Sequence, residues 1–121
     1  RAYHITPEGI FQISRDHSVV ENMVAKGDLT PLEARTHPNR NLITRALGPD
    51  IHAKADTFEL PWHKDEFLLL CSDGLVNTVT DQEMLFEIVV NECLDHLLQI
   101  SLQRGAPDNI TAVLLLNEEG R

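Results

Sequence analysis

Two aspartates stand where element ends could gather hard oxygen donors. Asp73 directly follows the most apolar run of the chain, Glu66-Phe67-Leu68-Leu69-Leu70-Cys71. Asp108, within Gly105-Ala106-Pro107-Asp108-Asn109-Ile110-Thr111, directly precedes the other strongly apolar run. If the two runs are neighbouring strands, both carboxylates meet at one sheet edge, and such donors suit Mg²⁺ or Mn²⁺. Gly74 is then expected to permit a tight bend beside an ion, with Asn109 and Thr111 holding the second loop by local hydrogen bonds. Asp-Gly after a strand is also a common turn, and Asp-Asn a common loop pair; each alone favours turn chemistry by about three to one. Two carboxylates are also fewer ligands than a two-metal site employs, although waters can fill the rest. The residues alone leave both readings open.

The elements that would position these aspartates form an α+β pattern. Ala2 to Ile5 and Ile10 to Ile13 read as a hairpin around Thr6-Pro7-Glu8-Gly9. Val19 to Lys26 has helical spacing at Val20, Met23 and Val24, with Gly27 as its stop. Thr30-Pro31-Leu32-Glu33 is a capping box with proline at the first helical position, opening a short helix to about Thr36. His37 to Asp50 reads as loop, and Ala53 to Leu60 as a strand followed by a turn over Pro61 to Asp65. The apolar run ending at Cys71 is the kind of strand buried on both faces or packed in a sandwich core, cut off by Ser72-Asp73-Gly74-Leu75. Thr80-Asp81-Gln82-Glu83 is a second capping box, starting a helix with Met84, Leu85, Ile88 and Val89 on one face. Leu94, Leu97, Leu98 and Leu102 mark another amphipathic helix ending near Gly105, and Ile110 to Leu116 a last strand.

With 121 residues the chain has the length of one ordinary domain. An apolar content of 42% favours folding over disorder. A net charge of -9 argues against broad contact with nucleic acid or anionic membrane. Cys71 and Cys93 are the only cysteines; both read as small buried hydrophobes, which points to a reducing, cytoplasmic setting. No stretch approaches transmembrane length, and no signal-peptide pattern is read. Arg1-Ala2-Tyr3-His4-Ile5 reads as though entered in mid-strand.

The motifs, taken in order, resemble one family. Leu69-Leu70-Cys71-Ser72-Asp73-Gly74-Leu75 and Gly105-x-x-Asp108-Asn109-Ile110-Thr111 are similar to the last two motifs of the PPM (type 2C) protein phosphatases. Arg1-Ala2-Tyr3 looks like the end of the family's Gly-Asp-Ser-Arg-x-Tyr strand, and Asp16-His17-Ser18 like the step into its flap. His37-Pro38-x-Arg40-Asn41 and Thr44-Arg45-Ala46-Leu47-Gly48 resemble the flap of the bacterial branch. The match runs nearly end to end and implies the C-terminal half of one catalytic domain over residues 1–121, with a flap at about 17–48.

The resemblance implies part of an antiparallel β-sandwich flanked by helices, lacking the N-terminal half. It implies a metal-dependent protein serine/threonine phosphatase in which water attacks phosphoserine or phosphothreonine in line, without a phosphoenzyme. Asp73 and Asp108 would bind one ion of a dinuclear Mg²⁺/Mn²⁺ centre, the residue matching Asp73 also serving a third ion in bacterial members. Gly74 and Asn109 would support the site, and Arg40 and Arg45 of the flap are candidates for phosphopeptide contact, beside the reading of ordinary surface arginines. The Arg that grips phosphate and the Asp-Gly-x-Gly-Gly aspartate that bridges both ions have no match in these residues. Expected partners are phosphoprotein substrates, a cognate serine/threonine kinase, and a missing N-terminal half or a second copy; the chain alone is expected to be inactive. The alternative is a catalytically dead phosphatase-like module that binds phosphoproteins or regulates a kinase.

Overall fold

The structure, a computed structural model, describes residues 1–49, 51–105 and 109–118. Along the chain run β1 (Ala2–Thr6), β2 (Gly9–Gln12), α1 (Val19–Ala25), α2 (Pro31–Thr36) and β3 (Phe67–Cys71). They are followed by α3 (Asp73–Val76), α4 (Asp81–Val89), α5 (Leu94–Gln103) and β4 (Ala112–Leu116). The chain forms two compact units, one of Arg1–Ser14 with Leu60–Arg121, the other of Arg15–Glu59.

The first unit is built on a four-stranded sheet in the order β2-β1-β3-β4, antiparallel throughout. Strand side chains alternate between faces. Tyr3, Ile5, Phe67 and Leu69 therefore share one face, where they are buried against Leu75, Val79, Met84, Ile88 and Leu97 of the helical layer. Each fully buried side chain of this size contributes about 1.5–3 kcal/mol. Thr80 caps α4 with the expected reciprocal bonds: its hydroxyl accepts from the Glu83 N–H, and the Glu83 carboxylate accepts from the Thr80 N–H.

The opposite face carries half-buried Ala2, His4 and Leu68, and among the described residues several of its apolar side chains meet solvent. Phe11, Leu70, Val113 and Leu115 are 40–52% exposed there. The strand ending at Cys71 is thus buried on one face only, with Leu68 half-buried between the exposed neighbours.

Three further expectations are corrected. Ala53 to Leu60 forms no strand; its residues are exposed apart from half-buried Leu60, and without a ladder partner the apolar-polar alternation cannot make a sheet. Ser72-Asp73-Gly74-Leu75 does not simply end β3 but opens the short helix α3. Cys71 and Cys93 are free and half-buried, Cys93 lying at the N-cap of α5.

In the second unit, the Ser18 hydroxyl caps α1 by accepting from the Glu21 N–H at 3.1 Å, and Gly27, at φ +84°, stands just beyond it. Thr30 and Glu33 form the expected capping box of α2, with proline at its first turn. Residues 42–44 return beside α1: the Val19 N–H donates to Leu42 O, and the Thr44 N–H to His17 O.

Candidate metal centre

The end of β3 and the start of β4 lie side by side, because Cys71 is paired with Ala112 in the ladder. The pairing continues past the strands. The Ser72 N–H donates to Thr111 O at 2.9 Å, and the Thr111 N–H donates to Ser72 Oγ at 3.0 Å. Ser72 Oγ also lies 3.5 Å from Asn109 O. Antiparallel neighbours with short extensions necessarily bring the end of one strand to the beginning of the next. The two motif segments, Ser72-Asp73-Gly74 and Asn109-Ile110-Thr111, consequently meet at one sheet edge.

Gly74 supports this meeting in a different way from the tight bend expected of it. It lies within α3, not at a positive φ. A Cβ there would come 2.2 Å from Asn109 O and 3.0 Å from the Asn109 carbonyl carbon. Glycine is required by close backbone approach rather than by a bend.

Asp73 is the first residue of α3 and is exposed, its carboxylate at the edge rather than in the core. Asp108, the second expected ligand, lies outside the described residues. Its neighbour Asn109 is placed by the contacts just given. Among the described residues no three His, Cys, Asp or Glu side chains converge as a metal cage. Asp73 offers hard oxygen donors of the kind Mg²⁺ and Mn²⁺ take, but a complete ligand set requires more than the described residues supply.

β1 also begins at this edge. The Arg1 amino group donates to Cys71 O at 2.9 Å, and Arg1 Nη1 donates to the Tyr3 hydroxyl at 3.1 Å. Burial pushes the Tyr3 phenol and the Cys71 thiol above their ordinary ranges, so both stay neutral near pH 7. Nearby, a pocket of about 280 Å³ is lined by Leu75, Leu94, Asp95, Leu97, Ile110 and Thr111 among others. Its mainly apolar walls do not suit a phosphoryl group, and Asp73 is not part of it.

Arg40 and Arg45 belong to the second unit. Arg40 Nη1 donates to His37 O at 3.1 Å. Arg45 Nη1 donates to Asp56 Oδ1 at 2.7 Å, and His17 Nε2 lies 2.7 Å from Asp56 Oδ2. His17 first, then Arg45, hold the Asp56 carboxyl down to about 2.

Ser72 escaped the sequence reading because a serine before Asp-Gly gives no sign that its hydroxyl reaches a second loop. Arg104 escaped it too, although it immediately precedes Gly105 and engages Glu83 of the second capping box.

No family model matches the chain. It is 35% identical over 129 residues to the serine/threonine phosphatase Stp of Listeria monocytogenes serotype 4b (strain F2365), matching 100% of this chain and 51% of that protein. The chain thus spans about half the length of the Listeria and Streptococcus pneumoniae relatives it matches, and 23% of Mycobacterium tuberculosis PstP. Among solved structures, the PPM Ser-Thr phosphatase MsPP of Mycobacterium smegmatis, in complex with cacodylate, superposes with a TM-score of 0.85 at 31% identity, covering 97% of this chain and 51% of that one. The catalytic domain of the phosphatase PstP, in complex with 2 manganese ions, gives a TM-score of 0.74 at 33% identity, covering 94% of this chain and 48% of that one. The ordered motifs, the antiparallel sheet with its helical layer and these likenesses agree: in sequence and fold the chain is similar to about half the length of serine/threonine phosphatases of the PPM type.

Proposed function

We propose that this chain supplies one side of the active site of a metal-dependent protein serine/threonine phosphatase acting on phosphoserine and phosphothreonine in proteins. The observation that supports it most is the junction of Ser72-Asp73-Gly74 with Asn109-Ile110-Thr111 at one sheet edge. In this reading Asp73 and Asp108 would hold one ion of a dinuclear Mg²⁺ or Mn²⁺ centre, and Asp73 would also help to hold a third. Such ions, when bound, lower the pKa of a water and neutralise charge on the phosphoryl group. The chain's own part is positional. Ser72 and the Gly74–Asn109 contact fix the spacing of the two acidic segments, and Cys71 and Tyr3 stay uncharged behind them.

The second unit is read as the substrate flap, residues 17–48 forming most of it, with Arg40 and Arg45 facing phosphopeptide. A cognate serine/threonine kinase and a cytoplasmic setting belong to the same proposal; the free thiols of Cys71 and Cys93 fit a reducing compartment. No described helix is long and apolar enough to cross a membrane. Turnover is proposed to need the residues of the relatives that this chain does not span, and the partly exposed sheet face is where such a second layer, or a second copy, would pack.

The test is phosphate release from a phosphothreonine peptide with Mn²⁺. The 121 residues alone are expected to show negligible release, whereas the protein that contains them together with a second layer is active and loses activity on Asp73→Asn. Turnover by the longer protein that is indifferent to Asp73→Asn would overturn the proposal.

A further inference from the structure

The connection from α5 to β4 carries the second acidic segment, and both its ends are clamped to the part of the chain that carries the first. At the far end, Asn109 and Thr111 are held on Gly74 and Ser72. At the near end stands Arg104, the C-cap residue of α5. Its Nη1 donates to Glu83 Oε1 at 2.8 Å and to Thr78 O at 2.8 Å, while Nη2 donates to Glu83 Oε2. This is a two-point guanidinium–carboxylate grip with a backbone carbonyl added, a geometry Lys cannot reproduce.

Each partner of Arg104 leads towards the site. Glu83 Oε1 also accepts from the Thr80 N–H at 3.0 Å, so one carboxylate joins the start of α4 to the end of α5. Thr78 follows α3, and its Oγ1 lies 2.9 Å from Gly74 O and 2.7 Å from Ser101 Oγ. Ser101 is fully buried in α5 and donates to Leu97 O at 3.1 Å. The helix that begins at Asp73 and the helix that Arg104 caps are therefore tied through Thr78 by two routes.

We propose that Arg104 is a positioning residue for the metal-binding edge: its grip on Glu83 and Thr78 fixes the point from which the chain leaves α5, and hence how the segment returning at Asn109 seats against Gly74. The proposal rests on the reading of Asp73 and Asp108 as metal ligands. Arg104 acts through Glu83 and Thr78, not as a ligand.

The experiment compares wild type, Arg104→Met, Arg104→Lys, Glu83→Gln and Asp73→Asn in the same protein, by amide hydrogen exchange without metal and by Mn²⁺ titration. Arg104→Met is expected to speed exchange of the Thr111 amide while the core amides of Leu69 and Ile88 keep their protection. Mn²⁺ affinity should fall about tenfold, as for other residues that orient ligands. Arg104→Lys should recover only part of both effects, and Glu83→Gln should reproduce them in weaker form. Unchanged Thr111 exchange and Mn²⁺ affinity in Arg104→Met, with binding still dependent on Asp73, would overturn this inference and leave the metal site standing. Equal loss of protection at Leu69 and Ile88 would make Arg104 merely structural. Mn²⁺ binding indifferent to Asp73→Asn would remove the metal reading and this inference with it.

Discussion

Gly74 lies so close to Asn109 that a Cβ on Gly74 would stand 2.2 Å from the Asn109 carbonyl oxygen. Backbone, not a movable side chain, occupies that space. Gly74→Ala must therefore push α3 away from the segment that enters β4. The expected cost is about 1–3 kcal/mol of stability, the range for overpacking. Urea denaturation of the variant checks it; a midpoint equal to wild type would contradict the contact.

Ser72 joins the same two segments by hydrogen bonds on both sides of the junction. Ser72→Ala leaves the Thr111 N–H without its side-chain acceptor. The expected loss is about 1 kcal/mol. Ser72→Thr, which keeps the hydroxyl, should lose less. The comparison of the two denaturation midpoints measures the hydroxyl rather than the volume.

Among the carboxylates held low, which include Glu33, Glu66 and Glu87, two contribute most to an acid limb of the stability. Arg104 first, and then the Thr80 N–H, hold Glu83 down to about 2 from its ordinary 4.5. His17 and Arg45 hold Asp56 down to about 2 from its ordinary 3.8. Between these values the unfolded chain binds more protons than the folded one, so stability is present above about pH 4.5 and is lost as pH falls towards 2. Glu83→Gln should flatten that limb between pH 4.5 and 2 and leave the slope above pH 5 unchanged, as read from denaturation midpoints across pH. An unchanged acid limb would show that the Arg104 grip is not made in solution.

The partly exposed sheet face predicts association. Leu70 and Val113 are cross-strand partners on it, 44% and 48% exposed. Replacing them together, Leu70→Lys with Val113→Glu, puts an ion pair where two apolar side chains now meet solvent. The double variant is expected to sediment as a monomer at concentrations where the 121-residue chain associates, with its far-ultraviolet dichroism retained. Monomeric behaviour of both would contradict the face as a docking surface.

Local chemistry was legible in the sequence where a rule acts within four residues. Thr30 with Glu33 and Thr80 with Glu83 announced both capping boxes, and the Thr6-to-Gly9 turn announced the hairpin. What the sequence hid was non-local. Ala53 to Leu60 read as a strand, but only tertiary structure decides whether a partner is present, and among the described residues none pairs with it. Asp73 and the Asn109 segment could be named as neighbours only on condition that their strands pair, and the Cys71–Ala112 register meets that condition. Gly74 looked like a bend and is a close approach. Arg104 drew no reading from the sequence, since nothing in its neighbourhood along the chain points to Glu83, 21 residues away.

The most direct measurement is paramagnetic broadening of amide resonances during Mn²⁺ titration of the chain, with Asp73→Asn and Asp108→Asn beside it. The account predicts that the first resonances to vanish are those of Asp73 to Leu75 together with those of Asn109 to Thr111. Either substitution should move that broadening to much higher Mn²⁺. Broadening spread evenly over the acidic surface, unaffected by either substitution, would contradict it.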